Sequence, residues 1–331
     1  MTSVVVTGGA GFIGVNFVRE WLAHEPASQV VVLDKLTYAG DPRALAALAD
    51  PRLRFVRGDI ADRALVRDLL ADVRPAAIVH FAAESHVDRS IDGPEDFIQT
   101  NVVGTFHLLE ETRRFLADHG DPGFRFVHVS TDEVFGALGA TGAFVETSPY
   151  DPRSPYAASK AASDHLVGAY VHTYGLPAII TNSSNNYGPH QFPEKLIPVI
   201  ITRALADQPI PVYGRGANVR DWIFVADHCA AVRAALARGR PGERYLIGAR
   251  AERTNLEVVH AICDLLDERA PRADRASHRA RITFVADRPG HDFRYAIDPS
   301  KAEAALGWRA TTAFDAGLRR TVAWYLANPP R

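Results

Sequence analysis

The sequence predicts an α/β protein, a doubly wound, mostly parallel sheet joined to a smaller mixed α/β unit. Three observations carry this. Short β-branched runs alternate with helix-length stretches up to about residue 180. A glycine turn, Gly8, Gly11 and Gly14, links the first run to the first helical stretch. Beyond Asn185 the texture changes, as Pro189, Pro193, Pro198, Pro209 and Pro211 break the chain into shorter pieces. Alternation at this spacing gives parallel strands covered by helices on both faces. Residues 1–185 are expected to form the first unit and 186–331 mainly the second, with chain crossovers between them.

Strands are expected at 4–6, 29–33, 53–56, 77–81, 124–129 and 178–181, from their Val, Ile and Phe content. Helices are expected at 12–24, 63–71, 98–119 and 155–174, where apolar residues recur at helical spacing. The second unit is expected to take strands 211–213 and 243–247, helices 256–266 and 300–306, and a charged surface loop at 267–278. Apolar residues on more than one side of helices 98–119 and 155–174, among them Phe106, Leu109, Leu166 and Tyr170, predict a homodimer.

Composition excludes several classes. A chain of 331 residues, 47% hydrophobic and 23% charged, can bury a large core. A net charge of -2 gives no broad attraction to nucleic acid. No apolar run reaches bilayer length, and residues 3–7 read as a strand entering a turn rather than an export signal. Cys229 and Cys263 lack metal-ligand spacing, so two buried thiols in a reducing, cytoplasmic compartment are expected, with no metal site.

The glycine turn has a physical reading residue by residue. Gly8 permits the tight turn, Gly11 lets backbone approach a pyrophosphate, and Gly14 lets the helix pack on the sheet. The helix N-terminus then offers unsatisfied N–H groups to the phosphates. Asp34 ends the second strand, where a carboxylate accepts ribose hydroxyls and repels a 2'-phosphate, so NAD is favoured over NADP. Asp59 and Ile60, ending the third strand, lie beside adenine, or Asp59 is a plain helix cap.

Tyr156 and Lys160 are four apart near a helix start, with Pro155 suited to the first turn, so they share a face. An ammonium beside a phenol favours the phenolate and makes a base; the alternative is an ordinary surface pair. Thr131, Asp132 and Glu133 follow the fifth strand, at the sheet edge where ligands bind. Adjacent carboxyls divide acid and base roles if their surroundings separate their pKa values; equally, the cluster is a helix cap.

Longer motifs extend this. VTGGAGFIG (6–14), LDKLTYAG (33–40), FAAESHVDRSI (81–91), STDEVFG (130–136) and SPYAASKA (154–161) are followed by SNNYGPHQFPEKLIP (184–198), NVRDWIFV (218–225), RPGHDFRYAID (288–298) and RTVAWYLAN (320–328). Together they resemble the dTDP-glucose 4,6-dehydratase family of extended short-chain dehydrogenases, almost end to end, which implies a Rossmann-like fold. The resemblance implies that Tyr156 takes the proton of the carbon 4 hydroxyl while hydride passes to NAD. Glu133 then removes the carbon 5 proton, Asp132 protonates the departing carbon 6 hydroxyl, and hydride returns to carbon 6. Thr131 bonds the carbon 4 hydroxyl. Phe12, Ile13, Lys35, Thr37, Ala82, Ala83 and Thr100 join the cofactor site, with Tyr156 and Lys160 against the nicotinamide. Ser85, Asn185, Glu194, Lys195, Leu196, Pro211, Tyr213, Arg220, Asn255, Arg288 and His291 bind the nucleotide sugar, and the interface is a four-helix dimer.

Several positions depart from the family pattern. Asn182 and Ser183 stand where arginine and cysteine are commoner, Phe293 where arginine is usual, Phe135 for tyrosine and His190 for an aromatic residue. None removes an acid-base group. The competing readings are a dehydratase of UDP-, CDP- or GDP-sugars, a 4-epimerase, and an NAD-binding scaffold without catalysis. An epimerase has no use for the pair Asp132 and Glu133.

Overall fold

In the computed structural model, residues 2–287 and 290–329 are described; Met1, Arg288, Pro289, Pro330 and Arg331 lie outside them. Twelve strands are present among the described residues. They are β1 (Thr2–Thr7), β2 (Ser28–Asp34), β3 (Leu53–Arg57), β4 (Ala77–His80), β5 (Arg125–Thr131) and β6 (Ala178–Ser183). Then follow β7 (Asn185–Tyr187), β8 (Ile210–Tyr213), β9 (Val219–Phe224), β10 (Arg244–Ile247), β11 (Glu252–Thr254) and β12 (Ile282–Val285). Seven form the main sheet in the order β3-β2-β1-β4-β5-β6-β10, all neighbours parallel. The order reverses between β1 and β4, which opens a crevice at the carboxyl ends of the strands.

Alternation along the strands builds two cores. Val4, Val6, Val30 and Val32 face one side with helices Phe12–His24 and Val225–Arg238. Val5, Val31, Leu33 and Ile78 face the other with Arg63–Val73, Thr105–His119 and Pro155–Tyr174. A third core, including Tyr187, Ile200, Trp222, Val259 and Val322, holds β7, β9 and helices Leu196–Leu205, Asn255–Arg269 and Phe314–Ala327 together. There β9 lies between β11, antiparallel to it, and β7, parallel; β8 pairs with β12. Cys229 and Cys263 are both buried free thiols. No helix of the described residues is long and apolar enough to cross a membrane.

Three expectations are corrected. The 243–247 strand does not belong to the smaller unit: β10 extends the main sheet, pairing Arg244 with Ile180 and Ile247 with Ser183. Tyr245, Leu246 and Ile247 are all buried, as a covered parallel strand requires. The Ser300–Leu306 helix likewise belongs to the first core, into which Ala302 and Leu306 insert. Leu109 and Tyr170 do not face outward; both sit in the second core, leaving Phe106 exposed at 38%.

The 98–119 helix also starts differently. Residues Ile98–Gly104 form a π-helical segment and only Thr105–His119 is α-helical. Asn101, inside the π segment, accepts from Glu84 N–H at 2.9 Å and donates to Glu84 O at 2.9 Å and Ser159 Oγ at 2.8 Å. The widened turn lets one buried amide tie the loop after β4 to the Tyr156 helix.

The glycine turn is sterically closed to larger residues. A Cβ on Gly14 would stand 2.2 Å from the Gly8 carbonyl oxygen and 2.6 Å from Gly9 Cα, both backbone atoms that cannot swing away. Gly14→Ala therefore forces the helix off the sheet, an overpacking cost of about 1–3 kcal/mol. The expected outcome is a lower unfolding midpoint in urea together with weaker NAD binding by calorimetry. An unchanged midpoint would show that the turn relaxes freely.

Candidate functional site

The crevice is lined from both sides of the sheet switch point. Its first wall is Gly8, Gly11, Phe12, Ile13 and Gly14, followed by Asp34, Lys35, Thr37, Asp59 and Ile60. Gly8 has φ +70°, and its missing Cβ would stand 2.5 Å from Ala82 N, so β1 and β4 meet here without side-chain spacers. Gly11 is the N-cap of the Phe12–His24 helix and provides no side-chain cap. The first amides of that helix thus face the crevice, a ready site for an anionic group. A Cβ at Gly11 would touch only the Gly8 carbonyl oxygen, at 3.3 Å, leaving a cradle open to a bulky ligand.

Asp34 accepts from Ala10 N–H at 2.9 Å and Leu36 N–H at 2.8 Å. Burial pushes its carboxyl above the usual range, and those two hydrogen bonds pull it back. It is thereby fixed at the crevice edge with lone pairs remaining for hydroxyl donors. Asp59 pairs with Lys35 at 2.7 Å and closes a turn onto Ala61 N–H at 2.9 Å. The cap of the Arg63–Val73 helix is Asp62, so Asp59 is not that cap. The set fits a dinucleotide: closed glycines, open amides and an acid two strands from the switch point.

Beyond Ala82, Ala83, Ser85 and Thr100, the crevice reaches Thr131, Asp132, Glu133, Tyr156 and Lys160. Ser154 caps the Tyr156 helix through Ala157 N–H at 3.1 Å, and Pro155 takes its first position. Lys160 is buried and donates from Nζ to Val129 O at 2.9 Å. Burial pushes its ammonium down to about 8, against support from Asp164. Tyr156 is pushed upward by burial and by Glu133, while a hydrogen bond with the Thr131 side chain acts the other way.

Thr131 ends β5 and caps a 3-10 turn, Asp132–Phe135, by accepting from Glu133 N–H at 3.2 Å. The cluster is therefore a cap and a crevice wall at once. Asp132 is 1% exposed, and burial, then Glu133 and Asp221, raise its carboxyl well above the usual range; Arg220 opposes this. Glu133 is less buried. Two adjacent acids thus sit in unlike surroundings.

Of the remaining expected contacts, Asn185, Glu194 and Lys195 line the same crevice. Lys195 donates to Ser85 O at 2.7 Å, and Glu194 accepts from Arg89 at 3.2 Å. Leu196, Pro211, Tyr213, Arg220, Asn255 and His291 lie outside its lining. Arg220 is buried, donates to Val219 O at 2.7 Å and Asp292 O at 2.9 Å, and stacks 4.2 Å over Tyr295. Asn255 begins its helix with its N–H on Asn218 O, and His291 pairs with Asp287 at 2.6 Å. Arg288 lies outside the described residues.

Sequence reading missed the residues behind the crevice. Asp164, buried, accepts from Tyr150 at 2.8 Å and Asn182 Nδ2 at 3.0 Å, with His128 Nε2 at 3.2 Å. Asn182 also donates to Thr131 O at 3.0 Å. The i,i+4 spacing of Lys160 and Asp164 was the available signal. His86 caps the Val87–Asp92 helix by accepting from Arg89 N–H.

A glycine-cradled crevice, an acidic strand end and a Tyr–Lys pair at one parallel sheet's edge define an NAD-binding enzyme body of the short-chain dehydrogenase type. The sequence matches the family described as GDP-mannose 4,6 dehydratase over residues 5–321. It is 58% identical to a dTDP-glucose 4,6-dehydratase of Xanthomonas campestris pv. campestris, over 99% of this chain and 94% of that protein. It is 50% identical to dTDP-glucose 4,6-dehydratase 1 of Escherichia coli K12, over 98% and 93%. A crystal structure of a Streptomyces venezuelae dTDP-glucose 4,6-dehydratase with NAD bound superposes with TM-score 0.90, at 50% identity, covering 99% and 98% of the two chains. A Thermus thermophilus UDP-glucose 4-epimerase complexed with NAD gives TM-score 0.87 at 30% identity, covering 99% and 100%. The chain belongs to the dTDP-glucose 4,6-dehydratase family.

The buried charges behind the site predict a pH signature. Asp164→Asn removes the anion that supports the Lys160 ammonium. Losing one partner of a buried pair costs about 3–5 kcal/mol. Lys160 titrates at about 8, below its ordinary value, so above that pH the folded protein no longer holds its charge and needs no anion. The charge part of the stability gap between wild type and variant is thus widest in mildly acidic buffer and shrinks as pH rises to about 8. Denaturant titrations across that range test this; a pH-independent gap would remove the charge from the explanation.

Proposed function

We propose that this chain converts dTDP-glucose to dTDP-4-dehydro-6-deoxy-glucose and water with NAD as its cofactor. The observation that carries this reading is the pair Asp132 and Glu133 beside Tyr156, one carboxyl buried and raised, the other at the crevice. Elimination of water needs an acid and a base in addition to the alcohol's base; 4-epimerisation does not. When bound, NAD supplies a hydride acceptor at carbon 4, a hydride donor at carbon 6 and, oxidised, a positive charge beside the phenol.

The chain's own residues do the proton work. Tyr156 takes the carbon 4 hydroxyl proton, with the Lys160 ammonium favouring its phenolate. The ketone so formed acidifies carbon 5, from which Glu133 removes the proton. Asp132, held protonated by its surroundings, gives its proton to the carbon 6 hydroxyl as water leaves. Thr131 hydrogen-bonds the oxygen at carbon 4. The glycine turn and Asp34 hold the dinucleotide, and the carboxylate favours NAD over NADP. Residues 186–331, with Asn185, Glu194, Lys195, Arg220 and Asn255 among the contacts, mainly hold the nucleotide sugar. The two buried thiols fit a cytoplasmic setting.

Assembly is proposed as a homodimer through the outer faces of Thr105–His119 and Pro155–Tyr174, where Phe106 remains exposed. Light scattering at micromolar concentration should report twice the 36.1 kDa chain mass, and Phe106→Glu should shift it toward monomer. A wild-type monomer would overturn the assembly.

The chemistry is tested by two variants. Glu133→Gln keeps size but cannot take the carbon 5 proton, so dehydration falls by about two to four powers of ten. Oxidation at carbon 4 survives, and quenched samples contain sugar nucleotide lacking two hydrogens but retaining its oxygen by mass. Tyr156→Phe yields neither that species nor product. Normal product and normal deuterium entry at carbon 5 in Glu133→Gln would overturn the role of Glu133.

A further inference from the structure

The proposed reaction, on which this inference rests, returns its electrons but not its protons. The hydride lost at carbon 4 arrives at carbon 6, so the sugar undergoes no net redox change. Glu133 takes one proton from carbon 5, and carbon 5 receives one back. Tyr156, however, keeps the proton of the carbon 4 hydroxyl, while Asp132 has lost its own into the departing water. One turnover therefore ends with Tyr156 protonated and Asp132 ionised, and a second cannot begin until Tyr156 has lost a proton and Asp132 has gained one. Both groups are buried, Tyr156 at 9% exposed and Asp132 at 1%, and Asp132 Oδ2 has no hydrogen-bond partner among the described residues.

The Thr131 hydroxyl stands between the two. Its side chain acts on the Tyr156 phenol in favour of the phenolate, both line the same crevice, and Oγ1 lies 3.4 Å from Asp132 Oδ1. Its third contact is the N–H of Glu133, at 3.2 Å. A hydroxyl has one proton to give and two lone pairs. The amide holds one lone pair, which leaves one donor and one acceptor position for Tyr156 and Asp132. The hydroxyl can donate to either while accepting from the other, and those two arrangements match the states before and after reset. A 3.4 Å separation is long for O–H···O, but such bonds tighten when substrate fills a site.

We propose that Thr131 relays the proton that Tyr156 takes at carbon 4 to Asp132, which delivers it at carbon 6 in the next turnover. The Tyr156 O–H bond breaks as a new O–H bond forms at Thr131. The original Thr131 O–H bond breaks as one forms at Asp132. One proton enters the hydroxyl and one leaves, so no charge accumulates there and no solvent path is required.

The relay acts after the first turnover, which sets its test. Enzyme loaded with NAD is mixed with dTDP-glucose, quenched rapidly, and the dehydrated sugar followed by mass through the first and later turnovers. Thr131→Val keeps the shape and removes the hydroxyl. Its later turnovers should slow about ten-fold more than its first, and Thr131→Ser should restore the wild-type ratio. In wild type, mixtures of light and heavy water should give a curved rate dependence in later turnovers and none of that curvature in the first. This second measurement decides alone if circular dichroism shows that Thr131→Val does not fold. Equal slowing of both phases in Thr131→Val would overturn the relay and confine Thr131 to the oxidation step. Unaltered rates would overturn it in favour of solvent exchange. A wild-type enzyme that gives no dehydrated sugar even in its first turnover would remove the underlying reading, a result distinct from both.

Discussion

One buried ammonium constrains the centre of this molecule. Lys160 lies within the protein, where a lone cation is costly, and its Nζ donates to the Val129 carbonyl at 2.9 Å. The balancing anion, Asp164, stands one helical turn along, and it too must be satisfied. Tyr150, Asn182 and His128 do so, from the loop before the helix, from β6 and from β5. Arg244, at the start of β10, adds its field. Four segments therefore meet on a single charge balance. Sliding any of them would strand a buried ion, so the sheet edge carrying Thr131 and the helix carrying Tyr156 are held in one register.

Asn182 shows how this chain differs from the pattern it otherwise follows. An arginine there would bring a positive charge to Asp164, whereas the amide brings none. Instead it bridges Asp164 to the Thr131 carbonyl, linking the buried anion to the reacting turn. His128, pushed down to about 4 chiefly by burial, stays neutral at ordinary pH, so Lys160 and Arg244 supply the charge. Phe135 has a similar logic: it is buried and stacks on Tyr150 at 5.4 Å, a position with no use for a hydroxyl. Phe293 is 49% exposed and meets Arg220 through its carbonyl, which any residue provides.

What the sequence made legible follows the same physics. Parallel strands covered on both faces must be apolar and β-branched, so β1 to β6 stand out, and the glycine turn is readable because backbone contact admits nothing larger. β10 escapes that test, since Arg244–Ile247 is too short to distinguish from a strand of the smaller unit. Only its pairing with β6 places it. The π segment was hidden because the contacts of Asn101 within it reach Glu84 and Ser159, residues far apart in the chain. Asp164 was hidden likewise: beyond its i,i+4 spacing from Lys160, nothing marks it until the loop before the helix and strands β5 and β6 bring Tyr150, His128 and Asn182 to it. Among the expected sugar contacts, Ser85, Asn185, Glu194 and Lys195 came to the crevice, while Leu196, next in the FPEKLIP stretch, lies outside its lining. Those on β8 and the start of the Asn255–Arg269 helix did not, because their position depends on how the smaller unit packs.

The division of labour between Asp132 and Glu133 is finally a matter of where a short turn points. Neighbouring residues in a 3-10 turn cannot share one direction, and Thr131 fixes the turn by capping it. Asp132 is thereby driven inward, toward Asp221 and Arg220 of β9, while Glu133 is left at the crevice. Burial and two neighbouring acids keep a proton on the inner carboxyl, while the outer one lines the crevice. The same cap that creates this asymmetry places a hydroxyl against both Tyr156 and Asp132. An ordinary helix-capping residue thus sets which acid donates, which accepts, and which groups can exchange protons away from water.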